Sequence, residues 1–571
     1  MGDAEVVGTS EAHSGETPDL FGAFPRLTHD QIAVLATKGH RRAVQRSEIL
    51  YREGDRRCDF LVILAGLVAV VEGYGRDEQV LGVHGPRRFL GELSLVAGQP
   101  LFVTAIAREP GEVLAVPMNR LADVVAKDDE LGNLILHAYL IRRSRLLSMG
   151  AGLRIVGSRF SPDSRRLLEF LARNRIPHRW VDLESDQEAE AILRELGIDP
   201  RDTPVVLWRG EALRNPSNAD LARILGLRVP TSAHSVFDVL VVGAGPAGLA
   251  ASVYGASEGL RIMALDGVAM GGQAGASPRI ENYLGFPSGI SGAELAERAA
   301  VQAEKFGARV NIPAQAASIE RRDGHYQVRL EDGDAIESHV VVIASGVRYR
   351  KLPVPRLEEF EGSSIFYAAT QLEAHLCHNA PVAVVGGGNS AGQAAVFLAR
   401  RTPRVRLVIR DGDLGKSMSR YLVDRIERNP KIDVMRHTEV RELVGEGALE
   451  AVVVEDNLTG DRETVDARAL FVFIGAEPHT RWLGDLVAMD EKGFVLTGPA
   501  AVGPAQGGPQ WGASRDPFLL ETSSPGVFAV GDVRRGSIKR VAAAVGEGSM
   551  AIRLCHDYLE AGPAPVARLD T

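Results

Sequence analysis

Residues 236–248 read VFDVLVVGAGPAG, in which an apolar run leads into a glycine-rich loop. The run predicts a buried strand and the residues after the loop predict a helix, which is the context that a dinucleotide-binding loop requires. Gly243 permits a tight turn, Gly245 lets the backbone approach a pyrophosphate, and Gly248 lets helix and strand pack closely. Asp266 ends the next predicted strand, 23 residues after Gly243, where it is placed to bind a ribose. The sequence therefore predicts a Rossmann-like unit.

A second loop of this kind begins at residue 386. Residues 382–391 read VAVVGGGNSA, so that Ala391 takes the place of the third glycine. Arg410 ends the next predicted strand, at the position where the first unit has an acidic residue. A carboxylate suits two ribose hydroxyls, whereas a guanidinium suits a 2′-phosphate. The first loop therefore fits FAD and the second fits NADPH, although Asp411 beside Arg410 works against that preference.

Length, composition and charge exclude several classes of protein. A chain of 571 residues is too long for one hydrophobic core, and its 45% hydrophobic content excludes a disordered protein. The net charge of −9 argues against a nucleic-acid-binding protein, and no apolar run is long enough to cross a membrane. The first residues lack the basic and apolar order of a secretion signal. We therefore expect a cytoplasmic protein that binds neither nucleic acid nor membranes.

From residue 235 to residue 560 the chain resembles the low-molecular-weight thioredoxin reductases and their flavoprotein relatives. Besides the two glycine loops, the resemblance rests on motifs in the family's order, which are GGQ at 271–273, IENYLGF at 280–286, ASG at 344–346, FIGAEP at 473–478 and GVFAVGD at 526–532. It implies an FAD domain in two parts, residues 235–352 and 479–560, with an NADPH domain, residues 353–478, inserted between them. It also implies a homodimer.

The resemblance implies which residues bind each cofactor. The FAD-binding residues would be Gly243, Gly245, Pro246, Ala247, Gly248, Asp266, Gly271, Gly272, Gln273, Asn282, Ala344, Gly346, Gly531, Asp532, Arg540, Val541 and Ala542. The NADPH-binding residues would be Gly386, Gly388, Asn389, Ser390, Ala391, Arg410, Ile474 and Gly475. Asp532 would bind the ribityl chain, and the helix that begins near Arg540 would direct its positive end at the flavin. Hydride transfer needs positioning rather than a protein acid or base, so no catalytic residue is predicted.

The chain departs from the family at its redox-active thiols. Where thioredoxin reductases have Cys-Ala-Thr-Cys, residues 366–371 read FYAATQ, without cysteine. Only Cys58, Cys377 and Cys555 occur, and their separation excludes a disulfide scaffold and any Cys-x-x-Cys redox or zinc motif, so no metal site is predicted. A thiol–disulfide relay needs two sulfurs, and the single Cys377 is interpreted as a buried core residue. The dithiol step is therefore absent from the predicted mechanism.

Residues 150–228 resemble a thioredoxin- or glutaredoxin-like domain that has lost its redox cysteines. The family's Cys-Pro-x-Cys is SPDS here, residues 161–164, and Thr203-Pro204 stands where the family has its cis-proline. Serine cannot cycle between thiol and disulfide. Ser161 instead predicts an N-cap, with Pro162 at the first helical position. The loss of the redox cysteines predicts that this domain is a docking module. A linker, residues 229–234, would join it to the large C-terminal part of the chain.

Residues 21–149 resemble a cyclic-nucleotide-binding domain, a β-roll that ends in a helix over residues 118–148, behind a flexible tail at 1–20. Gly91-Glu92-Leu93-Ser94 resembles the phosphate-binding cassette, with Glu92 on the ribose, and Thr104 is included in the implied site. The family's arginine after the proline is replaced by Leu101, which cannot neutralise a phosphate. Arg87 or Arg88 would have to substitute for it. Nucleotide binding and a purely structural roll both stay open.

Together these observations predict an α/β multidomain chain. It would consist of a β-roll, a thioredoxin-like α/β domain and two Rossmann-like domains, followed by a tail at 561–571. The function they favour is that of an NADPH-dependent FAD oxidoreductase, tuned by the N-terminal domain. Its acceptor stays open: a protein disulfide, a ferredoxin-like carrier, a quinone or oxygen. The alternative is a non-catalytic sensor that binds FAD and NADPH, or a cyclic nucleotide, and acts through partners. A thioredoxin reductase that relies on Cys377 alone is the third possibility.

Overall fold

The computed structural model describes most of the chain. The described residues are 15–56, 58–75, 78–92, 100–228, 236–277, 279–322, 324–361, 363–367, 369, 373–374, 377, 380–502, 511 and 515–561. The predicted linker at 229–234, Leu93 and Ser94 of the predicted cassette, and the tail at 562–571 lie outside them. Among the described residues, no helix combines the length and the apolar character that crossing a membrane would require.

The chain divides into two compact units. The first comprises residues up to 156 together with 177–181 and 186–215, and the second comprises 157–176, 182–185 and the residues from 216 onward. The segment 150–228, predicted above to be one domain, therefore contributes residues to both units. The domain boundaries given above stay predictions.

Two sheets and three helices form the N-terminal part of the first unit. The elements are α1 (His29–Ala36), β1 (His40–Val44), β2 (Ile49–Tyr51), β3 (Phe60–Ala65), β4 (Val68–Glu72), β5 (Gln79–His84), β6 (Phe89–Leu90), β7 (Thr104–Ala107), β8 (Gly111–Val116), α2 (Met118–Lys127) and α3 (Asp129–Met149). The strands form two four-stranded sheets, in the orders β1-β8-β3-β6 and β2-β7-β4-β5. This antiparallel arrangement agrees with the predicted β-roll.

Two details of this region differ from the sequence prediction. The single helix predicted over 118–148 is two helices, because Asp128 has extended backbone and its carboxylate caps the second helix by accepting a hydrogen bond from Leu131 N at 3.0 Å. The end of the segment predicted as a tail, residues 1–20, makes contacts with the roll. Thr17 N donates to Val83 O at 2.9 Å, and Glu16 pairs with Arg26 at 2.7 Å, so these residues are fixed to the roll.

The segment 150–228 alternates strands and helices. Its elements are β9 (Leu153–Gly157), α4 (Pro162–Arg173), β10 (His178–Asp182), α5 (Glu188–Glu195), a 3₁₀ turn (Pro200–Asp202), β11 (Val205–Trp208), β12 (Glu211–Arg214) and α6 (Asn218–Ile224). The strand order is β10-β9-β11-β12. Ser161 is the N-cap of α4 and Pro162 its first helical residue, as predicted. The Thr203-Pro204 bond is cis.

A seven-stranded sheet organises the first large part of the second unit. Its elements begin with β13 (Phe237–Val242), α7 (Pro246–Ser257), β14 (Ile262–Leu265), α8 (Gly272–Gly275), α9 (Gly292–Lys305), β15 (Arg309–Asn311), β16 (Ala316–Arg322), β17 (His325–Leu330), β18 (Ala335–Ile343), β19 (Val347–Tyr349) and α10 (Leu357–Phe360). The strand order is β15-β14-β13-β18-β17-β16. Leu240 and Val242 belong to one apolar core and Val239 and Val241 to another, so both faces of β13 are covered, which is typical of parallel sheets.

A five-stranded parallel sheet and a three-stranded antiparallel sheet come next along the chain. Their elements are β20 (Ile365–Phe366), β21 (Val382–Val385), α11 (Asn389–Leu398), β22 (Val405–Val408), a 3₁₀ turn (Leu414–Lys416), α12 (Arg420–Glu427), β23 (Ile432–Met435), β24 (Thr438–Glu446), β25 (Ala448–Asp456), β26 (Arg462–Asp466), β27 (Ala469–Val472) and β28 (Ala476–Pro478). The orders are β20-β27-β21-β22-β23 and β24-β25-β26.

The last elements return to the seven-stranded sheet. They are 3₁₀ turns at Arg481–Leu483, Gly498–Ala501 and Gly531–Val533, the strand β29 (Val527–Ala529) and the helix α13 (Val541–Ala561). The strand β29 pairs in parallel with β18, and β19 pairs with β28 in a two-stranded ribbon. The large sheet therefore contains strands from before and after the five-stranded sheet.

Candidate dinucleotide-binding cavity

One cavity of about 1220 Å³ in the second unit is lined by both glycine loops. This volume exceeds the roughly 300–1,000 Å³ of an ordinary ligand pocket. The predicted residues that line it are Gly243, Gly245, Pro246, Ala247, Asp266, Gly272, Gln273, Ala344, Gly346, Gly386, Gly388, Asn389, Ser390, Arg410, Ile474, Gly475, Gly531, Asp532, Arg540 and Val541. Gly248, Gly271, Asn282, Ala391 and Ala542 are not among the lining residues. The fold thus brings most of the predicted FAD-binding residues and most of the predicted NADPH-binding residues to the wall of one cavity.

The first glycine loop has the geometry that its spacing predicts. Gly243 has φ +112°, and a Cβ there would lie 2.2 Å from Ala344 O, so only glycine fits the turn. A Cβ on Gly248 would lie 1.8 Å from Gly243 O, since α7 begins directly against the strand. At Gly245 the nearest atom to such a Cβ would be 3.9 Å away, so this position faces open space. The backbone at Gly245 is therefore accessible to a ligand.

The carboxylate of Asp266 fastens this loop to the end of β14. Its Oδ2 accepts a hydrogen bond from Ala244 N at 2.9 Å, and its Oδ1 accepts from Val268 N at 2.9 Å and from Ala269 N at 3.1 Å. A carboxylate has about four lone-pair sites. Asp266 thus retains acceptor capacity toward the cavity that it lines, as ribose hydroxyls require.

The second glycine loop repeats the turn of the first. Gly386 has φ +139°, and a Cβ there would lie 2.3 Å from Phe473 O. Gly388 is the N-cap of α11 and faces open space. The side chain of Asn389 is already engaged, because its Oδ1 accepts from Ser419 N at 2.7 Å. The backbone of this loop, more than the Asn389 side chain, is therefore free to meet a ligand.

The second residue after β22, Arg410, carries the charge that distinguishes the two halves. Arg410 is exposed and lines the cavity. Asp411, its neighbour, pairs with Lys416 at 2.9 Å, and this lysine lowers the pKa of the Asp411 carboxyl. Because Lys416 neutralises Asp411, the acidic neighbour opposes the charge of Arg410 less than the sequence alone suggests.

The C-terminal motif closes the cavity on the side of α13. Gly531 N donates to the carboxylate of Glu547 at 2.7 Å, and Arg534 pairs with the same carboxylate at 2.5 Å. Asp532 is partly buried, and this burial raises the pKa of its carboxyl. The N-terminal ends of α7, α11 and α13 all contribute residues to the wall. Their partial positive charges favour an anionic ligand such as a pyrophosphate.

Sequence reasoning missed a histidine on this wall. His479 Nε2 lies 2.7 Å from Arg348 Nη2 and 3.2 Å from Gln315 Nε2. Burial lowers the pKa of His479 to about 4, and the charges of Arg348 and Arg481 act in the same direction. Since Arg348 can only donate, His479 Nε2 is the acceptor and the ring is neutral. The one signal in the sequence was its place directly after the FIGAEP motif.

Neither cysteine of the second unit has the properties of a redox thiol. Cys377 is buried, as predicted, its Sγ donates to Glu373 O at 3.1 Å, and burial raises its pKa to about 12. Cys555 is fully buried, and its pKa lies well above the usual value for the same reason. Reactive thiols need low pKa values and access to solvent. The stretch 366–371, which stands where the family has Cys-Ala-Thr-Cys, is described only in part, and within it Tyr367 is stacked on Tyr349.

The N-terminal roll contains a second, smaller cavity, of about 60 Å³. Glu92 and Arg142 line it and form a buried ion pair at 2.7 Å. His84 Nδ1, Glu92 Oε2 and Arg142 Nη2 are buried and have no hydrogen-bond partner among the described residues. Buried polar atoms are nearly always paired in native proteins. Within the described residues, a water molecule or a polar ligand could form hydrogen bonds with these three atoms.

Gly91 and Thr104, also predicted for the cyclic-nucleotide site, do not line this cavity and are held by contacts within the roll. Gly91 has φ +91°, and a Cβ there would lie 2.6 Å from Asp59 O. The hydroxyl of Thr104 is occupied, because it accepts from Glu53 N at 3.0 Å. Arg88, considered as a substitute phosphate ligand, is buried and donates to Thr17 O at 2.6 Å. The sequence showed Arg142 only as part of a basic helix end, since its contact with Glu92 is tertiary.

Fold and cavity define the class of this chain, a dinucleotide-dependent oxidoreductase. The family model described as pyridine nucleotide-disulphide oxidoreductase matches residues 237–548. Thioredoxin reductase of Treponema pallidum (strain Nichols) is 32% identical over 324 residues, which are 57% of this chain and 97% of that protein. The chain therefore belongs to the pyridine nucleotide-disulphide oxidoreductase family, and within it to the FAD-dependent thioredoxin reductase family.

Further relatives match more than half of the chain. NADPH-dependent thioredoxin reductase 3 of Arabidopsis thaliana is 30% identical over 370 residues, which are 61% of this chain and 65% of that protein. The crystal structure of Lactococcus lactis thioredoxin reductase in the FR conformation is 27% identical, with a TM-score of 0.51, and covers 57% of this chain and 99% of that one. The structure of T. acidophilum thioredoxin reductase is 29% identical, with the same TM-score.

A second family model, for the cyclic nucleotide-binding domain, matches residues 41–128. The chain thus combines an oxidoreductase with an N-terminal cyclic nucleotide-binding domain. The thioredoxin-like interpretation of residues 150–228 stays a prediction.

Proposed function

We propose that this protein is an NADPH-dependent FAD oxidoreductase that passes electrons to an external acceptor without the dithiol of its relatives. The observation that carries the proposal is the single cavity lined by both glycine loops, with Asp266 after one and Arg410 after the other. FAD would occupy the half next to Asp266 and NADPH the half next to Arg410. The two halves share one space, as hydride transfer between two bound cofactors requires.

The strand order supports an inserted NADPH domain. The seven-stranded sheet contains β13 to β18 and, far along the chain, β29, while the five-stranded sheet lies between them in sequence. We assign the FAD domain to residues 235–352 and 479–560 and the NADPH domain to residues 353–478. The chain would then pass from the FAD domain to the NADPH domain near β19 and return near β28, and these two strands pair with each other. A homodimer, which the family resemblance implies, is part of the proposal.

In this proposal, the residues of the chain bind the two cofactors and orient them toward each other. Gly245 and Gly388 leave the backbone open to a pyrophosphate, and the helices that begin after them stabilise its charge. Asp266 holds its loop and would accept hydrogen bonds from ribose hydroxyls, and Asp532 would bind the ribityl chain. Bound FAD supplies the two-electron redox chemistry and NADPH the hydride. The neutral ring of His479 adds no positive charge to the wall. The hydride step needs positioning and no proton from the protein.

The electron acceptor in this proposal lies outside the chain. The buried Cys377 and Cys555, whose pKa values are both raised, do not supply a thiolate near neutral pH. A disulfide of a partner protein, a ferredoxin-like carrier, a quinone and oxygen are the candidates. The match of residues 41–128 to the cyclic nucleotide-binding domain supports one addition, namely regulation by a nucleotide that binds the N-terminal domain.

Steady-state turnover separates this proposal from a sensor. We expect the purified chain to oxidise NADPH with ferricyanide as acceptor, and Cys377→Ser to turn over like the wild type. Tight binding of FAD and NADPH with negligible turnover would instead identify a non-catalytic sensor. Loss of disulfide reduction in Cys377→Ser would identify a reductase that relies on this thiol.

Regulation by the N-terminal domain is tested with cyclic AMP. We expect the nucleotide to raise the melting temperature of the full chain, because a ligand that binds only the folded state stabilises it. Glu92→Gln removes the carboxylate that faces the cavity and should abolish the shift. An unchanged melting temperature at millimolar cyclic AMP would leave the roll with a structural role only.

A further inference from the structure

The end of helix α4 reaches the predicted FAD domain. Asn174, 3% exposed, directly follows the helix, and its Nδ2 donates to Val268 O at 3.1 Å. Arg175 pairs with Glu297 of α9 at 2.9 Å. All of these residues belong to the second unit. The end of α4 is therefore fixed against loops and helices that surround the first glycine loop.

Arg173, the last residue of α4, lines the large cavity itself. Its Nη2 lies 3.5 Å from Gly272 O, and its Nη1 lies 3.5 Å from the carboxylate of Glu169. Both distances are at the upper limit for a hydrogen bond. A guanidinium has five N–H donors, so most of the hydrogen-bonding capacity of Arg173 remains available to a ligand in the cavity.

The position of Arg173 points to the pyrophosphate part of the cavity. Gly272, which it approaches, lies directly opposite Gly245, because a Cβ on Gly272 would be 3.0 Å from Gly245 Cα. Gly245 is the residue whose open backbone is expected to meet a pyrophosphate. The field of Arg173 also reaches the hydroxyl of Tyr349 on the same wall, where it opposes the effect of burial on the pKa.

We propose that Arg173 is a further FAD-binding residue, which the segment 150–228 contributes to the FAD domain. Its guanidinium neutralises the pyrophosphate by charge-assisted hydrogen bonds, which suit the planar donor geometry of arginine. The inference rests on the proposed function, because it requires FAD in the half of the cavity next to Asp266. It gives the segment without redox cysteines a role, which is to complete the site of the cofactor.

A structural alternative predicts a different result. A cation in the last turn of a helix also interacts favourably with the helix dipole, and Arg173 would then stabilise α4 and touch no ligand. Under that alternative, removing the charge lowers the stability of the protein and leaves the affinity for FAD unchanged. Binding of the free cofactor is thus a better readout than activity.

The test uses the full chain, stripped of flavin, in four forms: wild type, R173Q, R173K and R223Q. Arg223 on α6 pairs with Asp220, has a side chain that is 66% exposed and does not line the cavity, so R223Q controls for net charge. Dissociation constants for FAD, FMN and NADPH are measured by fluorescence titration. FMN lacks the pyrophosphate and so tests whether this group is needed. NADPH also contains a pyrophosphate, so its titration shows whether Arg173 acts on FAD or on NADPH.

We expect R173Q to raise the dissociation constant for FAD about tenfold, with R173K intermediate and R223Q like the wild type. The dissociation constants for FMN and NADPH should change less than about twofold, since neither ligand places a pyrophosphate beside Gly245. Unchanged FAD binding in R173Q, or a loss confined to NADPH, overturns the assignment of Arg173 while leaving the proposed function intact. Wild-type protein that binds no FAD overturns both. If R173Q does not fold, R173K still decides, because any ligand role weakens FAD binding when the planar fork is lost.

Discussion

At the scale of single residues, the two halves of the cavity differ mainly in one charge. Asp266 follows β14 and Arg410 follows β22, and both positions were identified from the sequence by counting from the glycine loops. Both residues lie on the cavity wall because loop, helix and next strand have nearly fixed lengths in a dinucleotide-binding unit, and their roles toward the cofactors stay predictions. His479 and Arg173 were not found, since their positions on the wall depend on contacts between residues far apart in the chain.

Arg410 makes the nicotinamide preference testable. R410Q removes the positive charge that suits a 2′-phosphate, so we expect the preference for NADPH over NADH to fall about tenfold, or ~1.4 kcal/mol. The measurement is the ratio of kcat/KM for the two nucleotides with ferricyanide as acceptor. R420Q, at a side chain that is 82% exposed and does not line the cavity, is the control. An unchanged ratio in R410Q would show that other residues recognise the nucleotide.

His479 predicts a pH dependence of stability. Its pKa is about 4 in the folded protein, against 6.5 for an ordinary histidine. Between these two values the unfolded chain binds the proton and the folded chain does not, so the free energy of unfolding falls as the pH falls from 6.5 to 4. H479Q removes this contribution. We expect the wild type to lose more stability than H479Q between about pH 7 and pH 5 in urea titrations; equal losses would refute the neutral, buried ring.

At the scale of elements, the sequence predicted the strands before and after each glycine loop, which are β13, β14, β21 and β22. The runs 237–242 and 382–385 are almost wholly apolar, which is typical of strands covered on both faces. The prediction was less accurate at 118–148, where helical spacing continues through Asp128 although the backbone does not. An acidic residue is compatible with the interior of a helix and with an N-cap, so the pattern alone did not reveal the break. Whether a residue caps a helix depends on its local backbone conformation and its tertiary contacts, and the spacing of apolar residues carries neither.

The cap at Asp128 can be measured directly. D128A removes the carboxylate that accepts from Leu131 N, and we expect it to lower the free energy of unfolding of the first unit by about 1 kcal/mol. D128N is the matched control, because asparagine caps helices about as well as aspartate. Chemical denaturation followed by circular dichroism gives both values. A loss in D128N equal to that in D128A would show that the charge, and not the cap, is responsible.

At the scale of the whole molecule, an oxidoreductase of the thioredoxin reductase family is combined with a cyclic nucleotide-binding domain and lacks the family's dithiol. The order of motifs along the chain predicted the family and the class of cofactors. The division of residues 150–228 between two units was not predicted, because sequence periodicity describes elements and not which core they join. The N-terminal cavity was predicted only in part, since Arg142 reaches Glu92 from a helix that begins far along the chain, at Asp129.

The central claim is that this chain transfers hydride from NADPH to a bound flavin without a dithiol. The most direct measurement is anaerobic stopped-flow absorbance of the purified, flavin-loaded protein after addition of NADPH or NADH. We predict rapid bleaching of the flavin band by NADPH and slower bleaching by NADH. A bound flavin that neither nucleotide reduces would contradict the account and identify a protein that retains the cofactor sites without the reaction.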